Sequence, residues 1–98
     1  MNLIDRYYWL ILKEQVKMLK QYLKKKNRAD KIIQELALTP SHTTQQYWQA
    51  VSKAELCIVE IEKIKTEMNF LDERYHWKEL LHQDRFKFID NEVLNLIS

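Results

Sequence analysis

Glycine is absent from the 98 residues of this chain, and proline occurs once, at Pro40. Glycine supplies the left-handed turns, phosphate cradles and close backbone approaches on which many active sites depend. At its usual share of roughly 7%, about seven would be expected. Their absence excludes every glycine-dependent catalytic or nucleotide-binding signature, and it leaves long helices with minimal connections as the architecture. Cysteine is nearly absent too. The single Cys57 excludes an internal disulfide framework and suits a reducing compartment. Long hydrophobic runs are also missing. The longest strongly apolar stretch is Tyr7-Tyr8-Trp9-Leu10-Ile11-Leu12, far short of the roughly 18 residues a membrane span requires. Asp5 and Arg6 cancel, so no basic leader precedes it, and no small-residue cleavage site follows. The expectation is a cytoplasmic chain, mature from Met1.

What is present is ample for a core. Hydrophobic residues make up 46% of the chain, with three Trp, five Tyr and three Phe, which argues against disorder despite 31% charged residues. The length fits one domain, residues 1–98. Net charge is only +2 but unevenly spread. Residues 1–38 hold nine Lys/Arg against four Asp/Glu, and residues 39–98 hold seven against ten. Such a split suits antiparallel packing of one half on the other, and it also suits an anionic partner for the first half.

Periodicity predicts a first helix over about 3–38. Ile4, Tyr8, Ile11, Met18, Tyr22, Ala29, Ile32 and Leu36 form one row, and Leu12, Val16, Leu19, Leu23 and Ile33 a parallel one. Pro40 ends it, because the residue before a proline is pushed out of the helical region. The connection is expected over 39–43, with Ser41, Thr43 or Thr44 as the cap of the next helix. A second helix over about 44–70, or longer, carries a seam of Tyr47, Ala50, Ala54, Cys57, Ile61, Ile64, Met68, Leu71 and Tyr75. Its alternating steps of three and four are the coiled-coil spacing. Phe86, Ile89, Val93 and Leu96 predict a third, shorter helix over about 84–97 folding back on the hairpin. The fold class is therefore all-α: a long antiparallel helical hairpin with a shorter C-terminal helix and coiled-coil-like packing. Both ends of the chain are apolar on more than one side, so either the third helix or a second chain must cover them.

No constellation points to catalysis. Glu73-Arg-Tyr-His76 and Glu79-Leu-Leu-His82 have the i, i+3 spacing that places a carboxylate and an imidazole on one helical face. His76 and His82 lie about 1.7 turns apart and so face opposite ways, and no metal or cofactor is assigned. Cys57 lies inside the apolar seam, away from any activating base, and reads as a buried inert thiol. The chain is expected to be no enzyme and to bind no small molecule.

Two binding chemistries remain. Adjacent aromatics in Tyr7-Tyr8-Trp9, Tyr47-Trp48 and Tyr75-His76-Trp77 cannot all face one core. The candidates for partner anchors are Tyr7, Trp9, Trp48, Trp77, Phe86 and Phe88, because Trp and Tyr dominate interface hot spots. The first reading is accordingly a small adaptor, chaperone-like subunit or inhibitor that works by helix packing, as a homodimer or in a hetero-complex. The alternative is a helical nucleic-acid-binding protein using Lys17, Lys20, Lys24, Lys25, Lys26 and Arg28, with Lys13 and Lys31 at the ends of the same run. A sequence pI of about 8.6 and the lack of any reader motif weigh against it. An aromatic-and-lysine first helix lying on a membrane surface is the least favoured reading.

Overall fold

The computed structural model describes residues 2–38 and 44–97. Helix α1 spans Leu3–Ala37 and helix α2 spans Thr44–Tyr75. Two single turns of 3-10 helix follow, at Trp77–Leu80 and Asp84–Phe86, and then helix α3 at Asn91–Ile97. There is no strand among the described residues. The architecture is the expected all-α hairpin with a short C-terminal helix.

Asn2 starts α1 because its side chain accepts the Asp5 backbone N–H at 2.7 Å, satisfying one of the donors a helix start leaves open. At 1.5 Å per residue, the 35 residues of α1 make a rod of about 52 Å, and the whole molecule measures 59 × 19 × 19 Å. The expected connection at 39–43, with Ser41 and Thr43 as cap candidates, lies outside the described residues, as does the side chain of Thr44.

The α2 seam is buried from Ala50 to Leu71, while its two end residues, Tyr47 and Tyr75, are half-buried. Ala50, Ala54, Cys57, Ile61, Ile64, Met68 and Leu71 are all buried, in the alternating steps the sequence contains. On α1 the row that goes inside is Leu12, Val16 and Leu19. Toward the connection the helices meet through small side chains, Ala29 on α1 and Ala50, Ala54 and Cys57 on α2.

The C-terminal segment differs from the expected helix over 84–97. The Lys87 N–H bonds back three residues to Asp84, and the Ile89 N–H to Phe86, which is 3-10 geometry. The Arg85 carbonyl, which an α-helix would give to Ile89, instead accepts the Trp9 indole N–H at 2.9 Å. Asp90 then restarts the chain as α3 by accepting the Val93 N–H on its side chain at 3.1 Å. Phe86, Ile89 and Val93 of the expected stripe face inward, but Ile97 takes the place of Leu96, which is only half-buried. The four join Leu12, Val16, Leu19, Ile61, Ile64, Met68, Leu71 and Trp77 in one core. This core fills the half of the hairpin near the start of α1. The half near the connection has no third layer among the described residues.

His76 separates α2 from the segment that folds back. It adopts φ 53°, ψ 40°, the left-handed conformation, and is the sole described residue with positive φ. Its N–H bonds the Asp72 carbonyl at 2.8 Å, closing the helix end as a glycine would elsewhere. Trp77 follows directly, and its indole N–H donates to the Met68 carbonyl inside α2 at 2.9 Å.

Candidate interaction surfaces

Helix α2 carries apolar residues on two sides. Opposite the buried seam, Trp48, Ser52, Leu56, Val59, Lys63, Thr66 and Phe70 recur in steps of three and four, and all are exposed. Leu56 is 67% exposed, Trp48 58% and Phe70 55%. At 100° per residue they share one stripe of about 33 Å, turned away from Ala54, Cys57 and Ile61. Ile58, also exposed, broadens it. Ser52, Lys63 and Thr66 interrupt the stripe, so its apolar character rests on Trp48, Leu56, Val59 and Phe70.

The second surface runs along α1. Lys13, Lys17, Lys20, Lys24, Arg28 and Lys31 follow one another in steps of four and three, so their side chains form a single row of about 27 Å. Within that row Lys20 is the one residue with a carboxylate partner among the described residues, Asp90 at 2.6 Å. The lysine holds the Asp90 carboxyl below the usual carboxylate range, helped by the Val93 backbone N–H. Lys13 rests 4.9 Å from the centre of the Trp9 ring. Two shallow troughs lie beside the row and share Lys20, with volumes of about 490 and 550 Å³. Leu10, Val16 and Phe88 line the first and Leu23 the second.

The structure separates the six expected aromatic anchors. Tyr7 and Trp48 are exposed as expected of contact residues. Trp9 and Phe88 are half-buried and pack against each other edge to face, with ring centres 6.1 Å apart. Trp77 and Phe86 are a correction: both are 0% exposed and belong to the core. They are buried because the left-handed turn at His76 swings Trp77 under the end of α2, and the 3-10 turn over 84–86 directs Phe86 between the helices. The basic set is also redistributed. Lys17, Lys20, Lys24 and Arg28 share the row, but Lys25 and Lys26 do not. Lys25 turns to the Tyr22 ring, 5.4 Å from its centre, and Lys26 pairs with Asp30 at 2.7 Å. Lys13 and Lys31 take their places.

Leu56, Ile58, Val59 and Phe70 escaped the sequence reading. The signal that finds them is a second three-and-four spacing on a helix already assigned a seam. Neither Glu-x-x-His pair sits on a continuous α-helix, since His76 ends α2 and His82 lies in a turn. Among the described residues no cluster of three or more His, Cys, Asp or Glu is placed to hold a metal ion. None of the described helices is long and apolar enough to cross a membrane.

No curated protein and no solved structure matches the chain. Residues 2–96, which include the hairpin, the left-handed turn and most of α3, match the model of a family described as a protein of unknown function (DUF1140), and the chain belongs to that family.

Proposed function

We propose that the protein is a non-enzymatic interaction module, an adaptor, chaperone-like subunit or inhibitor, that packs the outer stripe of α2 against a helix of another chain. The observation that carries this reading is that α2, besides its buried seam, exposes Trp48, Leu56, Val59 and Phe70 on a second stripe, with Ser52, Lys63 and Thr66 between them. A buried Leu, Val or Phe side chain contributes about 1.5–3 kcal/mol relative to an exposed one. Covering what remains exposed of Trp48, Leu56, Val59 and Phe70 therefore favours association. The other chain is a second copy or a different protein. The single buried thiol of Cys57 supports placing this module in the reducing cytoplasm.

The mass of the purified chain, by light scattering on a sizing column, tests the reading. A species larger than 12.0 kDa that returns to that mass in a Leu56→Asp/Val59→Asp variant of unchanged helicity supports self-association through the stripe. Association that persists in the variant removes the stripe from the interface. A wild-type chain that stays at 12.0 kDa leaves a different protein as the occupant of the stripe.

A further inference from the structure

The basic row on α1 is separate from the outer stripe of α2. We propose that it forms, with the apolar floor beside it, a second binding surface that takes an acidic amphipathic helix of a partner protein. The row is long, straight and largely uncompensated. Of Lys13, Lys17, Lys20, Lys24, Arg28 and Lys31, Lys20 alone has a carboxylate partner among the described residues. The carboxylates nearby are Glu14 on the rim of the first trough, Glu92 on the rim of the second, Asp90 against Lys20, and Glu35 one turn beyond Lys31. Six cations against four carboxylates leave the surface positive, while residues 39–98 as a whole are acidic.

The floor decides between anionic partners. Leu10 is exposed along the row, and Leu23 and Phe88 are half-buried there, with the core residue Val16 beneath. A sugar-phosphate strand gains little from such side chains, and binding of single strands relies on exposed aromatic faces on which bases stack. Phe88, the aromatic of the trough, is instead packed against Trp9 and Phe86, with ring centres 6.1 and 6.3 Å away. An amphipathic helix answers both features. Its apolar side covers Leu10 and Leu23, and its carboxylates, three or four residues apart, repeat every 4.5–6 Å or so along its axis. That is the repeat of the lysine row.

The probe is a fluorescein-labelled synthetic amphipathic helix with leucine on one face and glutamate flanking it, followed by fluorescence anisotropy with the full chain. A labelled polythymidylate strand and a mixed-sequence duplex are run alongside. The expected result is salt-sensitive peptide binding that Lys17→Glu/Lys24→Glu weakens about tenfold and that Leu10→Ser also weakens. Lys25→Glu/Lys53→Glu, the same charge change on other faces, should stay within about twofold of wild type. Circular dichroism confirms that each variant is folded. The proposal is overturned by absent peptide binding, by equal losses in the two charge variants, or by the polythymidylate strand or the duplex binding tighter than the peptide. The Leu56→Asp/Val59→Asp chain should bind the probe as wild type does. Loss of the peptide in that chain places it on α2 and also overturns the proposal, whereas the mass measurement above stands apart from every one of these results.

Discussion

The carboxylate of Asp5 and the guanidinium of Arg85, 80 positions apart in the chain, form an ion pair that ties the first turn of α1 to the C-terminal segment. The guanidinium donates from Nη1 to Oδ2 and from Nη2 to Oδ1, the latter at 3.3 Å. Tyr75, at the end of α2, donates its hydroxyl to the same carboxylate at 2.6 Å. Three distant elements thus converge on one anion. The bond from Arg85, then the one from Tyr75, holds the Asp5 carboxyl below its ordinary value. Charge-assisted bonds of this sort are the strong ones, and this cluster lies where the hairpin would otherwise fray.

Acid should therefore loosen the fold through Asp5. A carboxyl whose value is lowered on folding contributes stability above its unfolded value, near 4, and loses it as pH falls through the folded one. Thermal melts by circular dichroism from neutral pH down to about pH 2.5 should show a falling melting temperature below about pH 4. Asp5→Asn should lose part of that dependence and cost about 1–3 kcal/mol at neutral pH. Asp90, held down by Lys20, supplies a second part, so Asp5→Asn/Asp90→Asn should flatten the limb further. An acid limb identical in wild type and the double variant would remove both carboxylates from it.

The alkaline limb belongs to Tyr75. Burial, and then its bond to Asp5, push this phenol up to about 12. Its unfolded value is near 10, so below that pH the phenol is protonated in both states and the contribution is fully present. Between about 10 and 12 the unfolded chain ionises first, and stability falls. The difference between wild-type and Tyr75→Phe melts should shrink over that range, starting from about 1 kcal/mol in favour of wild type at neutral pH. A difference that stays constant to pH 12 or so would show that the phenol does not titrate with folding.

The hairpin was legible because its signals are periodic. The α2 seam from Ala50 to Leu71 is buried residue for residue, and Pro40 marks the interruption between α1 and α2. What escaped is aperiodic or depends on rotation. Trp77 and Phe86 sit in single 3-10 turns, too short to display any repeat, so their burial follows from the backbone reversal at His76 and not from spacing. Lys24, Lys25 and Lys26 read as one patch along the chain, yet each step turns by about 100° on a helix. Three neighbours consequently face three ways. The outer α2 stripe was hidden for the opposite reason, since one helix with two apolar sides looks in sequence like one helix with a broad core face.

Two tryptophans that look alike in sequence should behave oppositely. Trp77 is fully buried and its indole N–H bonds the Met68 carbonyl, so Trp77→Ala removes core volume and a buried hydrogen bond together. Chemical denaturation should register a loss of about 3–5 kcal/mol. Trp48 is exposed on the outer stripe, and Trp48→Ala should change monomer stability by no more than about 0.5 kcal/mol while weakening association by more than about 1 kcal/mol. Equal stability losses for the two would contradict the placement of Trp48 outside the core.

The left-handed turn at His76 offers a gain instead of a loss. A residue bearing a Cβ pays steric strain of about 1–2 kcal/mol in this conformation, and the chain contains no glycine to relieve it. The imidazole of His76 caps nothing at that turn, so the side chain adds little to offset the strain. Glycine would remove the clash but return roughly 0.5–1 kcal/mol of that gain as unfolded-state entropy. His76→Gly should therefore stabilise the protein by about 0.5–1 kcal/mol, read as a higher denaturation midpoint with an unchanged slope. His76→Val should do the reverse, because a β-branched side chain tolerates positive φ least. If His76→Gly lowered the midpoint, the side chain would have a role in the fold-back that the turn geometry alone does not explain.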